Sequence, residues 1–107
     1  MRRKETDFAT PAAVQAAVHL GGLVRQARLA RSWTQKGLAE RARVGLATIK
    51  RMESGAVEVS LGGWLSVLES LGLLPLFGAL RDPASAALLD ATRVQRARPG
   101  SRDDLDF

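Results

Sequence analysis

The residues of this sequence that could do chemistry are basic and polar side chains gathered between Trp33 and Gly55. This stretch predicts two short helices joined by a tight turn at residues 43–45. We expect Ile49 and Met52 to face the core of the domain. Helical periodicity then turns four side chains of the second helix toward solvent: Leu46, Ala47, Lys50 and Arg51. Because Lys and Arg donate hydrogen bonds to guanine edges and phosphates, this pattern predicts contact with bases in a major groove of double-stranded DNA.

A second set of side chains flanks this face and is suited to phosphate oxygens: Gln35, Lys36, Arg43 and Thr48. Gln35 begins the first helix of the pair, where free N–H groups also favour phosphate. The Thr48 hydroxyl could instead bond to the backbone of its own helix. Residues 45–47 carry no side-chain donors, although apolar contact with thymine methyl groups is open to them. We therefore expect steeply salt-dependent binding that depends strongly on phosphate charge and DNA shape.

Charge is distributed unevenly along the chain, whose formal net charge is +5. Residues 1–55 carry 11 Lys or Arg against 4 acids, and residues 56–107 carry 5 against 7. A polyanionic partner for the first half is the simplest explanation, with a solvated basic face as the alternative.

Other functions find little support in the composition. There is no cysteine and one histidine, His19, so we expect neither a metal site nor a cofactor. No nucleophile–base–acid set indicates an enzyme. No apolar stretch is long enough to span a membrane, and the absence of cysteine fits a reducing cytoplasm.

The elements that must position these residues are helices, and the predicted fold class is all-α. Thr10-Pro11 predicts the start of a first helix that runs to about residue 31. Gly21-Gly22 should weaken, bend or split it. Thr34 caps a second helix of about 35–42, and a third covers about 45–54 before Gly55. Ser60 caps a fourth of about 61–71.

The sequence after the fourth helix predicts a different element. Residues 73–80 are too apolar for a loop, and Pro75 argues against a helix, so a short edge strand fits best. A single strand in a helical domain predicts pairing with its symmetry mate in a homodimer. The strand residues expected at that interface are Leu74, Leu76 and Phe77. Asp82-Pro83 then predicts a fifth and last helix, which ends near residue 98.

Four segments follow from these elements. Residues 1–9 are a flexible basic arm, and residues 10–72 form the helix-turn-helix domain. Residues 73–98, the strand and last helix, serve dimer or partner contacts, and residues 99–107 form a flexible acidic tail.

Several of these residues, in this order and spacing, resemble the helix-turn-helix of the Xre/Cro and phage-repressor family: Thr34-Gln35, Leu38-Ala39, Val44, Thr48-Ile49 and Met52-Glu53-Ser54-Gly55. The resemblance covers about residues 16–71 and implies a lambda-repressor-like fold. It also implies an ion pair between Arg28 and Glu53 that locks the first helix to the recognition helix.

Within that family the chain is most similar to HipB-type antitoxins, through its Trp33-Thr34-Gln35 opening, its apolar stretch after the fourth helix and its acidic–aromatic tail. This resemblance implies a homodimeric repressor, at the nucleoid in the cytoplasm, that controls its own operon and binds a HipA-type kinase toxin. The recognition helices of such a dimer lie about 34 Å apart. Two alternatives stay open: a free-standing regulator of a prophage or restriction–modification system, and a protein-interaction module whose helix-turn-helix no longer contacts bases.

Overall fold

The computed structural model describes residues 8–96, and the regular secondary structure of this part of the chain is helical, without a strand. Its six helices are α1 (Pro11–Ala30), α2 (Gln35–Ala42), α3 (Leu46–Glu53), α4 (Leu61–Ser70), α5 (Pro75–Gly78) and α6 (Pro83–Arg96). The predicted all-α class is confirmed. The acidic tail predicted for residues 99–107 lies outside the described residues, as do the first seven residues of the predicted basic arm.

Hydroxyl side chains begin three of these helices, as the sequence predicts. Thr10, Thr34 and Ser60 each accept a hydrogen bond from the backbone N–H three residues further on, at 3.1, 2.9 and 3.0 Å. Each bond satisfies one of the N–H groups that a helix start leaves without a partner. Helix α3 differs, because its N-cap residue Gly45 has no side chain to accept such a bond.

The core lies among α1–α4 and consists mainly of small aliphatic side chains. Helix α3 packs against both α1 and α2, and α2 also packs against α4. The buried apolar residues are Val24, Leu38, Ala39, Ala42, Ile49, Met52, Val67, Leu68 and Leu71. Each of the four helices contributes to this list, so burial of apolar surface holds α3 in place from several sides.

Helix α1 is continuous through Gly21-Gly22, so the helix is not split there. Gly21 is buried where α1 crosses the end of α3. A Cβ atom at this position would collide with the backbone carbonyl oxygen of Met52 and lie 3.3 Å from the Gly55 nitrogen. Gly22, in contrast, has nothing within 4 Å of its Cβ direction. The first glycine therefore permits close helix packing, which offsets its low helix propensity.

The strand predicted for residues 73–80 is wrong, because a short helix, α5, occupies the middle of this segment. Pro75 is the first residue of α5. A helix leaves its first N–H groups without a partner, so a proline there loses nothing. The turn before α5 is tight: Gly72 has a φ of +75°, and the Leu73 N–H donates to the Leu68 carbonyl at 2.8 Å.

Because residues 73–80 form no strand, the role predicted for Leu74, Leu76 and Phe77 in pairing two strands of a dimer is wrong as well. Phe77 and Leu73 pack against the core cluster instead. The Phe77 N–H donates to the Leu74 carbonyl at 3.0 Å, which is a helical turn rather than a strand edge. Leu73 and Phe77 thus serve the protein's own core, whereas Leu76 and Leu80 are 60% and 73% exposed.

The chain divides between residues 77 and 78 into two units, and α6 is the helix of the second. Asp82 caps α6: its carboxylate accepts from the Ser85 hydroxyl at 2.6 Å and the Ala84 N–H at 3.0 Å. These hydrogen bonds lower the pKa of Asp82, and the bond from Ser85 has a larger effect than the bond from Ala84. Every α6 residue is exposed.

None of the described helices is both long and apolar enough to cross a membrane.

Candidate nucleic-acid interface

Helix α3 presents one face to solvent and the other to the core. Ile49 and Met52 are fully buried. The four side chains expected to point outward are exposed: Leu46, Ala47, Lys50 and Arg51. The structure thus places two cations and two apolar side chains together on an accessible helix face of a size that fits a major groove.

An ion pair between Arg28 and Glu53 joins α1 to the end of α3. The guanidinium Nε donates to Glu53 Oε2 at 2.7 Å, and Nη2 donates to Oε1 at 2.9 Å. The two side chains are only 10% and 4% exposed. Nη1 of the same arginine donates to the Trp33 carbonyl at 2.8 Å, which also fixes the loop before α2. Arginine suits this position because its planar fork matches both carboxylate oxygens at once.

The pKa values of this pair reflect burial and pairing together. Burial by itself raises the pKa of Glu53, but hydrogen bonds from Arg28 and Gln35 and the charges of Arg28 and Arg25 outweigh it, so the pKa lies below its ordinary value. For Arg28, the hydrogen bond to Glu53 raises the pKa, burial opposes this, and the Glu53 charge adds to the rise. Both groups are therefore charged at neutral pH. This pair forms a lock between α1 and α3, and the lock depends on both charges.

Gln35 belongs to this lock as well as to the predicted phosphate set. Its Nε2 donates to Glu53 Oε1 at 3.2 Å, so α2 is tied to the end of α3. An amide nitrogen carries two hydrogens, and the second is left to donate to a phosphate. The contact with Glu53 could not be predicted from the sequence, because 18 residues separate the two side chains and only the packing of α2 on α3 brings them together.

A shallow groove runs between the end of α1 and the starts of α2 and α3. Its lining includes four of the predicted contact residues: Gln35, Lys36, Leu46 and Lys50. Leu29 also lines it and is 50% exposed. Leu29 could not be predicted from the sequence, because only the packing of α3 against α1 places it in this groove. The groove therefore has an apolar part and two lysines at the face where α3 is accessible.

The remaining members of the predicted phosphate set lie apart from the groove lining. Arg43 is exposed and ends α2 in the left-handed region, with a φ of +58° that favours glycine. Thr48 is half-buried, and its Oγ1 accepts a 3.5 Å hydrogen bond from Arg51 Nη2 rather than bonding to the backbone. The two residues of this contact lie one helical turn apart on α3.

Trp33 forms a second set of contacts that the sequence analysis did not foresee. The Arg41 guanidinium lies 4.1 Å from the centre of its ring, and that of Arg31 lies 5.9 Å away. Arg31 also donates to the Leu71 carbonyl at 2.8 Å, which ties the end of α1 to the end of α4. These two arginines, although basic, thus have partners within the protein.

Residues 8–96 contain no candidate metal site, because no group of three or more His, Asp or Glu side chains is placed to hold an ion. His19 lies on α1 beside a small open pocket whose other lining residues are Val18, Gly22, Leu23 and Gln26.

Comparison with known families agrees with this geometry. A family model described as a helix-turn-helix domain matches residues 19–84, which is more than half of the chain. The chain therefore belongs to this helix-turn-helix family and is an Xre-like regulator with a DNA-binding domain. Neither a curated protein nor a solved structure matches the chain.

Proposed function

We propose that this protein is a sequence-specific transcriptional repressor that binds operator DNA as a homodimer. The observation that carries the proposal is the exposed face of α3, where Lys50 and Arg51 lie beside Leu46 and Ala47. The lock at the end of the same helix, in which Glu53 accepts from α1 and α2, fixes the direction of that face. A rigid, exposed and basic helix is what base contact in a major groove requires.

In the proposed complex, α3 lies in the major groove and its two cations donate to guanine edges. Gln35, Lys36 and Arg43 contact phosphates on either side and fix the position of the protein on the duplex. Phosphate contacts release counterions, so the observed affinity should fall steeply with salt. The repressor would act at the nucleoid, within the cytoplasm.

Selection from a library of randomised duplexes tests this proposal. The recovered sequence is then compared with a scrambled duplex of the same length and base composition, at one fixed salt concentration. We expect the selected duplex to bind at least about 1,000-fold more tightly than the scrambled one, the lower end of the range for specific DNA-binding proteins. Equal affinity for the two duplexes would contradict the proposal, and no binding to either duplex would favour a protein-interaction module.

Since no strand is available for pairing in the described residues, we assign the interface of the proposed homodimer to the apolar face of α6. This face is defined by Ala84, Ala87, Leu88, Ala91 and Val94, which fall on one side of the helix. Leu88 is 69% exposed and Val94 is 66% exposed. Such a face gains stability when a second copy covers it, and two copies of the recognition helix are what two half-sites about 10 base pairs apart require.

Sedimentation equilibrium of two charge variants tests the dimer. Leu88→Glu places a carboxylate on the apolar face, whereas Ala86→Glu places the same group on the opposite side of α6 and serves as the control. We expect only Leu88→Glu to dissociate the dimer. A monomeric wild-type protein, or equal dimerisation of both variants, would refute the assignment.

The biological role that we propose for the repressor is that of an antitoxin, which binds a HipA-type kinase toxin and represses the operon that encodes both. Support comes from the resemblance of the Trp33-Thr34-Gln35 opening to HipB-type antitoxins. Co-expression with a kinase-fold protein encoded beside the gene, followed by purification through the kinase, is the direct test. A stable complex supports the antitoxin role. Operator binding without any complex would identify a free-standing regulator instead.

A further inference from the structure

Leu46 is the first residue of α3 and occupies an unusual position for a leucine. It is 38% exposed at the edge of the groove, on the same side of the helix as Lys50, one turn later. Leu29 of α1, 50% exposed, lines the same groove. The start of α3 therefore offers an apolar surface that is partly supported by a second leucine and bordered by a lysine.

The side chains at the start of α3 can form no hydrogen bond with a base edge. Gly45 has no side chain, and Leu46 and Ala47 carry neither donors nor acceptors. In the major groove, the group that an apolar side chain distinguishes is the C5-methyl of thymine, which the other three bases lack. The chemistry of this part of the helix thus matches a methyl group rather than a hydrogen-bonding edge.

The two ends of the α3 face consequently differ in chemistry. Lys50 and Arg51, further along the helix, donate and match guanine acceptors. Arg51 also donates to the Thr48 hydroxyl at 3.5 Å, one turn earlier in the same helix. A half-site with thymine near the start of the helix and guanine further along it would match both ends.

We infer that Leu46, with Ala47 beside it, is a specificity-determining residue that recognises the C5-methyl group of thymine in each operator half-site. This inference rests on the proposed function, because it requires that α3 enter the major groove. It adds the class of base that the start of the helix selects. Burial of one methyl group against an apolar surface corresponds to about a fourfold change in affinity.

Replacement of thymine by deoxyuridine in the selected duplex is the test, since it removes the methyl group and leaves every hydrogen-bonding group unchanged. Each thymine is replaced in turn, and the dissociation constant is measured for the wild type and for Leu46→Ala. We expect at least one thymine whose replacement weakens wild-type binding about fourfold. For Leu46→Ala the same replacement should change the affinity by less than about 1.5-fold, because the apolar partner is gone.

Leu61→Ala is the matched control, since Leu61 is an exposed leucine of α4, outside the interface. It should keep the full wild-type response to deoxyuridine. Thermal unfolding of Leu46→Ala verifies that the variant is folded. If the wild type binds a selected sequence but no deoxyuridine replacement affects it, the inference is refuted while the proposed function stands. An undiminished response in Leu46→Ala also refutes it, since another residue must then contact the methyl group. Failure to select any sequence refutes both.

Discussion

Arg28 and Glu53 form a two-pronged ion pair that joins α1 to the last residue of α3, the helix that carries the candidate base contacts. The carboxylate also accepts from Gln35, so three helices meet at one nearly buried group. The direction of the exposed α3 face therefore depends on a polar contact as well as on apolar packing.

Removal of Arg28 should destabilise the protein more than the pair contributes to it. In Arg28→Ala the Glu53 carboxylate, whose side chain is 4% exposed, loses its main partner. A buried charge left in this way costs about 3–5 kcal/mol. Urea unfolding measures the loss. Arg25→Ala removes an exposed arginine of the same helix whose charge acts on Glu53 without a hydrogen bond, and it should cost less than about 1 kcal/mol. Similar losses in both variants would show that the pair is not a special lock.

Acid should weaken the same lock. The pKa of Glu53 is lowered in the folded protein from its ordinary value of 4.5, so its stabilising effect is present above pH 4.5 and is lost as the pH falls through the folded-state pKa. We expect the free energy of unfolding of the wild type to decrease below pH 4.5 more steeply than that of Glu53→Gln. Unfolding in urea at a series of pH values measures both slopes, and parallel curves would contradict the assignment.

The adjacent glycines of α1 offer a matched pair of substitutions. Gly22→Ala meets open space and should stabilise the protein by about 0.5–1 kcal/mol through helix propensity. Gly21→Ala drives a methyl group against the Met52 carbonyl and should destabilise by about 1–3 kcal/mol. Thermal unfolding of both variants measures the difference, and an equal effect of the two changes would show that α1 does not pack so closely on α3.

Replacement of Arg43 by glycine should have opposite effects on stability and on DNA binding. Its φ of +58° is unfavourable for a side chain, so Arg43→Gly should stabilise the protein by about 0.5–1 kcal/mol. Loss of one phosphate contact should also reduce the slope of log affinity against log salt by about 1. Lys36→Ala is the comparison: it should reduce the slope equally without the gain in stability. An unchanged slope in Arg43→Gly would remove Arg43 from the interface.

The sequence was sufficient to predict the elements whose signals are local. The hydroxyl caps at Thr10, Thr34 and Ser60 act within three residues, so they mark helix starts directly. The outward face of α3 follows from helical periodicity alone. The prediction of a strand at residues 73–80 was wrong because proline affects a helix differently at different positions. Inside a helix Pro75 would be disruptive, whereas as the first helical residue it is neutral. Local sequence does not distinguish them.

The other differences depend on tertiary contacts. Gly21 looks like a weak point until α3 is seen to pack against it. Gln35 looks like a free phosphate donor until the packing of α2 on α3 brings its amide to Glu53. Leu29 resembles any other exposed apolar residue of α1 until the start of α3 is placed beside it. Contacts between residues far apart in sequence decided each of these cases.

The most direct test of the central claim compares two double variants that remove the same charge. Lys50→Ala/Arg51→Ala removes both cations of the α3 face, and Arg93→Ala/Arg96→Ala removes two exposed cations of α6. Affinity for the selected duplex is measured at one salt concentration for both, and thermal unfolding verifies that each is folded. We expect the α3 variant to bind at least about 30-fold more weakly and the α6 variant to stay within about threefold of the wild type. Equal losses in the two variants, or none in the α3 variant, would contradict the claim that α3 contacts the bases.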